Sequence, residues 1–261
     1  MLKLSYNIID ELKKTIMKTK GIKNYYNKLY PNSKYQLKNI ISDIITYLKN
    51  GSSMKNTKLI THYQTLNYHL QRFKKNDIFK KTYNRILKNN KLYETTKYLI
   101  TDTSFINNCN GINKLGRNKY NKNKKAYKLS FVTDINGIPL DVIVKPSNKA
   151  DITIMGYHLN NLKNKLNNKI LLADAGYCSN NLRNQLKKYN CVPIIQFNNR
   201  SSKIKKSLTE EEKKIYKKRI IIENIFCYFK KFKNMKQMNM KYYSSYVNSV
   251  YLVLLCLFTK Y

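Results

Sequence analysis

The sequence predicts an α/β fold, a mixed β-sheet flanked by helices and preceded by a small all-α domain. Three observations predict it. Residues 1–94 repeat apolar side chains at helical spacing. Residues 95–261 alternate short apolar runs with helix-like stretches. Two of those apolar runs end in an acid, at Asp102 and Asp174.

In the N-terminal part, Leu37, Ile40, Ile41, Ile44, Ile45 and Leu48 mark one helix, with Asn50-Gly51 as its stop. Thr65 to Phe73 and the set Ile78, Phe79, Tyr83, Ile86 and Leu87 mark two more. Short helices with a basic, aromatic-bearing face suit a DNA-binding module. A helical lid on the second domain satisfies the same pattern.

The second domain opens with the strand Tyr98–Asp102, followed by a basic polar loop from Asn107 to Lys125. Tyr127–Thr133 and Ile138–Val144 flank Asp134-Ile-Asn136-Gly137, whose Asn-Gly pair is a strong hairpin signal. Beyond Pro146, Asp151 is placed to cap a helix reaching about Leu166. Lys169–Asp174 is a fourth strand, Gly176 supplies a turn, Ser179–Lys188 is helical, and Cys191–Gln196 is a last strand. Thr209 with Glu212 has the form of a capping box opening a long helix. The apolar run from Val247 to Phe258 is shorter than the roughly 20 residues of a membrane span and reads as a buried terminal helix. Three antiparallel strands followed by a parallel pair and packed helices is the ribonuclease-H-like order. In it the first and fourth strands are parallel neighbours, which sets Asp102 beside Asp174 and brings the long helix against both.

The formal net charge of +37 points to a polyanionic partner. Heavy use of Lys, Asn, Ile and Tyr is also what an A/T-rich coding sequence yields. Against that background, carboxylates in apolar surroundings are unusual among only 14 acidic residues, and Asp102, Asp174 and Glu223 stand out. The five cysteines are odd in number and contain no C-x-x-C pair, which argues for reduced thiols in an intracellular protein rather than disulfides or zinc. No secretory signal opens the chain.

The long helix carries Tyr216-x2-Arg219-x3-Glu223-x6-Lys230. At about 100° per residue these four side chains fall within roughly 60° of one α-helical face. Three converging carboxylates raise one another's pKa unless cations intervene, and hard oxygen ligands suit Mg²⁺ or Mn²⁺. Asp102, Asp174 and Glu223 are therefore the expected catalytic and metal-binding set, for two ions acting on a phosphodiester. Arg219 offers bidentate contact to a phosphate, Tyr216 a hydrogen bond or a stacking surface, and Lys230 a point charge further along the DNA. Arg117, Lys125 and Lys128, around the basic loop, are further expected DNA contacts. Asp134 and Asp141 read as structural residues of the hairpin.

This spacing resembles the Y-x2-R-x3-E-x6-K signature of DDE transposases of bacterial insertion sequences, matched here at all four positions. Ile100–Ser104, Leu115–Asn118, Thr133–Leu140, Ala150–Thr153 and Leu172–Tyr177 agree with that family's flanking segments. The resemblance covers roughly residues 96–261. It implies a ribonuclease-H-like fold and Asp102, Asp174 and Glu223 as the metal-binding triad. It also implies cut-and-paste chemistry on DNA, by a homo-oligomer that bridges two element ends. A non-catalytic DNA-binding descendant and a stand-alone nuclease of the same fold are the alternatives.

Overall fold

The structure is a computed structural model and describes residues 4–29, 33–50, 53–199, 206–232, 235 and 240–260. In chain order its first elements are β1 (Leu4–Asn7), α1 (Ile8–Lys18), α2 (Lys20–Leu29), α3 (Leu37–Asn50), α4 (Tyr63–Lys75) and α5 (Ile78–Asn89). The central ones are α6 (Leu92–Thr95), β2 (Tyr98–Asn107), β3 (Gly116–Asn118), β4 (Lys124–Thr133), β5 (Pro139–Pro146), α7 (Asp151–Leu162) and β6 (Lys169–Ala173). Then follow α8 (Asn180–Lys188), β7 (Cys191–Ile195), α9 (Glu210–Tyr216), α10 (Ile220–Lys231), α11 (Tyr243–Phe258) and β8 (Thr259–Lys260). Gly51, the expected stop after α3, lies outside the described residues.

Two compact units divide the chain. One comprises Lys3–Asn90, Asn110–Asn113 and Phe229–Tyr261, the other Lys91–Cys109 and Lys114–Tyr228. This differs from the expected division at 94/95, because residues 229–261 return to the N-terminal helices. The reason is apolar area. Tyr246, Val250, Tyr251, Leu252, Val253, Leu254 and Leu255 of α11 are all buried, and α4 and α5 cover the helix. Each such side chain stabilises the unit by roughly 1.5–3 kcal/mol. Asn248 Nδ2 adds a hydrogen bond to Asp77 Oδ1 at 3.1 Å. The unit is helical except for β1 and β8, which pair in parallel. Among the described residues, no helix is long and apolar enough to cross a membrane.

In the other unit the strands form a mixed sheet in the order β5-β4-β2-β6-β7, with the short β3 continuing β5's side of β4. The β2–β4 and β4–β5 pairs are antiparallel, whereas β2–β6 and β6–β7 are parallel. That is the ribonuclease-H-like order, and helices flank the sheet. The hairpin between β4 and β5 turns on Asp134, whose Oδ1 accepts from the Asn136 and Ile138 amides at 2.9 and 2.7 Å. Gly137 adopts φ +81°, which only glycine takes up readily.

Candidate active site

β2 and β6 run parallel with Tyr98 opposite Ile170, Leu99 opposite Leu171 and Ile100 opposite Leu172. Two residues further along, the same register sets Asp174 level with Asp102. β6 stops at Ala173, and Asp174 caps the 3₁₀ turn Ala175–Tyr177, accepting from the Gly176 amide at 2.8 Å. β2 does not stop at Asp102 but continues to Asn107, because β4 pairs with it as far as that residue. Asp102 is therefore held in mid-strand, and its Oδ1 accepts from the Thr103 amide at 2.7 Å. Burial pushes its carboxyl up to about 6. The Thr103 amide and Arg219 oppose that rise, while the charges of Asp174 and Asp151 add to it.

The single helix expected to carry the charged stripe is broken. The capping box at Thr209 and Glu212 opens α9, a 3₁₀ turn occupies Lys217–Arg219, and α10 begins at Ile220. A 3₁₀ turn eclipses residues three apart. Arg219 accordingly reaches back to Tyr216, donating from Nη1 to its hydroxyl at 2.7 Å and from Nη2 to Asp102 Oδ2 at 3.1 Å. The Tyr216 hydroxyl donates in turn to Gln196 Oε1 at 3.2 Å.

Packing decides which way α10 faces. Phe131 of β4 stacks on Phe226 with ring centroids 4.9 Å apart, and a Cβ on Gly137 would lie 2.6 Å from Ile225 Cδ1. With Ile222, Ile225 and Phe226 inward, Glu223 is left exposed in the first turn. Asp102, Asp174, Arg219 and Tyr216 come together, but the expected closure of Glu223 on the two aspartates is not present in this arrangement. Among the described residues, no three His, Cys, Asp or Glu side chains are gathered closely enough to hold a metal ion. Lys230 lies in the last turn of α10, beyond the point where the two units divide.

Arg117 and Lys125 are directly paired across β3 and β4, and both are exposed. Lys128 is different. Its residue is buried, and its ammonium donates to Lys149 O at 2.8 Å and Asp151 Oδ1 at 2.9 Å. An expected phosphate contact is thus engaged inside the protein, because inward alternation along β4 points it at α7. Asp151 also departs from expectation: Ala150 is the N-cap of α7, without a side-chain cap bond, and Asp151 is the first helical residue. Its Oδ1 accepts from Thr103 Oγ1 at 2.8 Å as well as from Lys128.

A second polar contact on α7 escaped sequence reasoning. His158 Nδ1 meets Asp141 Oδ2 at 2.7 Å and its Nε2 meets Ser130 Oγ at 2.8 Å. Ser130 Oγ also lies 3.3 Å from the Asp102 carbonyl oxygen as a donor. Asp141, expected as a hairpin residue, therefore anchors a buried chain leading to Asp102. The available signal was the seven-residue interval from Asp151 to His158, two turns that place both on one side of α7.

A family model described as Transposase DDE domain matches residues 93–259, well over half of the chain. The chain belongs to the DDE transposase family. Among solved structures, it is similar to one described as a Mos1 transposase paired-end complex with left transposon end, at 15% identity and a TM-score of 0.29. The match covers 62% of this chain and 59% of that one, a likeness too slight to carry an argument. No curated protein matches the sequence significantly. The part matched to the transposase domain contains every expected site residue, along with Thr103, Lys128, Asp151 and His158.

Asp102 and Asp174 supply two of the oxygen ligands that suit the divalent metal such transposases use, while Glu223, the expected third, is not gathered with them. Two carboxylates stand level, Asp102 within β2 and Asp174 just past the end of β6, and the first has its proton affinity raised by burial and like charge, which is chemistry a hard cation answers. Beneath them the Tyr177 hydroxyl is buried, and neither it nor the neighbouring Thr101 hydroxyl makes a well-formed hydrogen bond. Burial and the charges of Asp151, Asp102 and Asp174 push the phenol well above its usual pKa.

Proposed function

We propose that the chain is a DNA transposase of the insertion-sequence group bearing the Tyr-Arg-Glu-Lys signature. It hydrolyses a phosphodiester at the element end and transfers the freed 3′-hydroxyl to target DNA. The observation that carries this reading is the β2–β6 register that sets Asp174 level with Asp102, within a domain matched to the transposase family.

Asp102, Asp174 and Glu223 would hold the Mg²⁺ or Mn²⁺ ions. When bound, such ions activate the attacking oxygen and stabilise the leaving one. Glu223, exposed in the first turn of α10, would complete the set, since cations would offset the mutual repulsion of three carboxylates. Arg219 turns from Asp102 to a substrate phosphate, which its planar fork can grip at two points. Tyr216 donates its hydroxyl to the same backbone, and Lys230 holds the strand further along. Arg117 and Lys125, two exposed like charges directly opposite each other, repel unless an anion sits between them, which favours a phosphate there. Two element ends call for at least two copies of the chain, so the working form is a homo-oligomer on DNA.

The test is nicking and joining of a supercoiled plasmid that carries the DNA flanking this gene, with Mg²⁺ or Mn²⁺, beside Glu223→Gln and Asp102→Asn. Metal-dependent nicks and joined products should appear with the wild type and vanish in both variants while DNA binding persists. Nicks without joined products would favour a stand-alone nuclease. Binding without nicks would favour a non-catalytic descendant.

A further inference from the structure

We infer that Asp151 is a positioning residue of the metal site, and that its free oxygen accepts a hydrogen bond from water on the ion held by Asp174. The inference rests on the metal-dependent reading above and adds a residue to it. Three observations carry it.

The first is a clamp. Asp151 Oδ1 receives Thr103 Oγ1 at 2.8 Å and Lys128 Nζ at 2.9 Å, and Lys128 is itself fixed by the Lys149 carbonyl at 2.8 Å. Both bonds fall on one oxygen, so the carboxylate is oriented while Oδ2 is left for another partner. A surface ion pair would gain little from such an arrangement. Lys128 here is 6% exposed, and a buried ammonium is costly unless it is paired, so its bonds to Asp151 and the Lys149 carbonyl hold both groups in place.

The second observation is a gap. A Cβ built on Gly176 would lie 3.0 Å from Asp174 Oδ1 and 3.6 Å from Asp151 Oδ2. The two oxygens therefore flank one point, and the missing side chain of Gly176 keeps that point open. The third is the Tyr177 hydroxyl, buried in the field of Asp151, Asp102 and Asp174, with only the Thr101 hydroxyl beside it and no hydrogen bond of good geometry. An unpaired buried donor is rare, and a bound water is the usual remedy. Mg²⁺ and Mn²⁺ keep several of their waters, and carboxylates outside the first coordination sphere orient them.

The experiment is titration of the full-length chain with Mn²⁺ alone, following the free Mn²⁺ signal by electron paramagnetic resonance, for wild type, Asp174→Asn, Asp151→Asn and Gly176→Ala. Asp174→Asn should lose the site, whereas Asp151→Asn should weaken Mn²⁺ about tenfold, the size of effect expected of an outer-sphere partner. Gly176→Ala should weaken it comparably while leaving the Lys128–Asp151–Thr103 clamp in place, so it decides the matter if Asp151→Asn fails to fold. Wild-type affinity within twofold in a folded Asp151→Asn, or in Gly176→Ala, overturns this inference alone. No Mn²⁺ bound by the wild type overturns the metal-dependent reading and this inference together.

Discussion

Arg219 holds Asp102 across 3.1 Å, and in doing so it supplies the positive charge that the aspartate faces. On the proposed reading, the Arg219 guanidinium and a divalent cation would therefore compete for one carboxylate. An ion pair of this partly exposed kind is worth about 1 kcal/mol. Arg219→Gln should accordingly raise Mn²⁺ affinity in the DNA-free protein about fivefold. The same variant should nick plasmid DNA at least about tenfold more slowly, since a charge-assisted bond to the phosphate goes with the guanidinium. Unchanged or weaker Mn²⁺ binding would show that the guanidinium does not guard the site.

The Asp141–His158–Ser130 chain is buried and ends at the Asp102 main chain. His158→Phe removes both bonds and leaves Asp141 with Asn161 alone and the Ser130 hydroxyl with the Asp102 carbonyl alone, at a cost of about 2–4 kcal/mol. Ser130→Ala should cost only about 1 kcal/mol. The double variant should cost less than the two single effects combined, because both act on one chain. Chemical denaturation of the four proteins measures this directly, and simple additivity would show that the residues are independent.

His69 gives the helical unit a pH response. Burial, aided by the Arg72 guanidinium, holds its pKa down to about 4, and its Nδ1 lies 2.5 Å from the Tyr26 hydroxyl. The imidazole is near pKa 6.5 in an unfolded chain. Between those values the unfolded state binds the extra proton, so the stability is complete above about pH 6.5 and lost as pH falls towards 4. Going from pH 7 to pH 5 should cost about 2 kcal/mol. Urea melts of His69→Gln should be flatter over that interval; an equal loss in the variant would place the titration elsewhere.

Gly137 turns the hairpin with φ +81° and has Ile225 Cδ1 2.6 Å from where a Cβ would be. Gly137→Ala combines a strained backbone with a clash against α10 and should destabilise by about 1–3 kcal/mol. Because α10 carries Glu223, plasmid nicking should fall with it. A variant that melts at the wild-type temperature would mean that the hairpin and helix adjust freely.

DNA affinity should decline steeply with salt in a chain of net charge +37. Replacing both Arg117 and Lys125 by Gln should lower the slope of log K against log salt by about 2, one for each phosphate no longer neutralised. Lys128→Gln should leave that slope unchanged, since its ammonium already bonds to Asp151 and Lys149. A drop with Lys128→Gln would reverse this assignment.

Much of the sheet was legible in the sequence. The runs flanking the Asn136-Gly137 turn locate β4 and β5, and apolar runs ending in acids locate β2 and β6, because apolar runs and turn chemistry are local properties. The capping box at Thr209 was legible for the same reason. The break at Lys217–Arg219 was not, since 3₁₀ and α backbones differ by small dihedral changes and the residues there fit either. Lys128 shows the other limit. A lysine in a basic chain reads as surface, and only the arrival of Asp151 from α7 explains its burial. Likewise α11 is apolar on nearly every side, which announces burial without saying against what.

The interrupted composition of the helical unit has a consequence for the order in which the protein is made. Its first helices emerge from the ribosome well before α11, and more than a hundred residues of the sheet-bearing unit come between them. Until that intervening stretch has been synthesised, α4 and α5 lack the apolar helix that covers them. A premature stop anywhere in the sheet-bearing unit thus deprives the helical unit of its final layer too. The sheet and whatever the helical unit contributes are accordingly lost together, so a truncated copy of the gene does not leave behind an intact helical fragment.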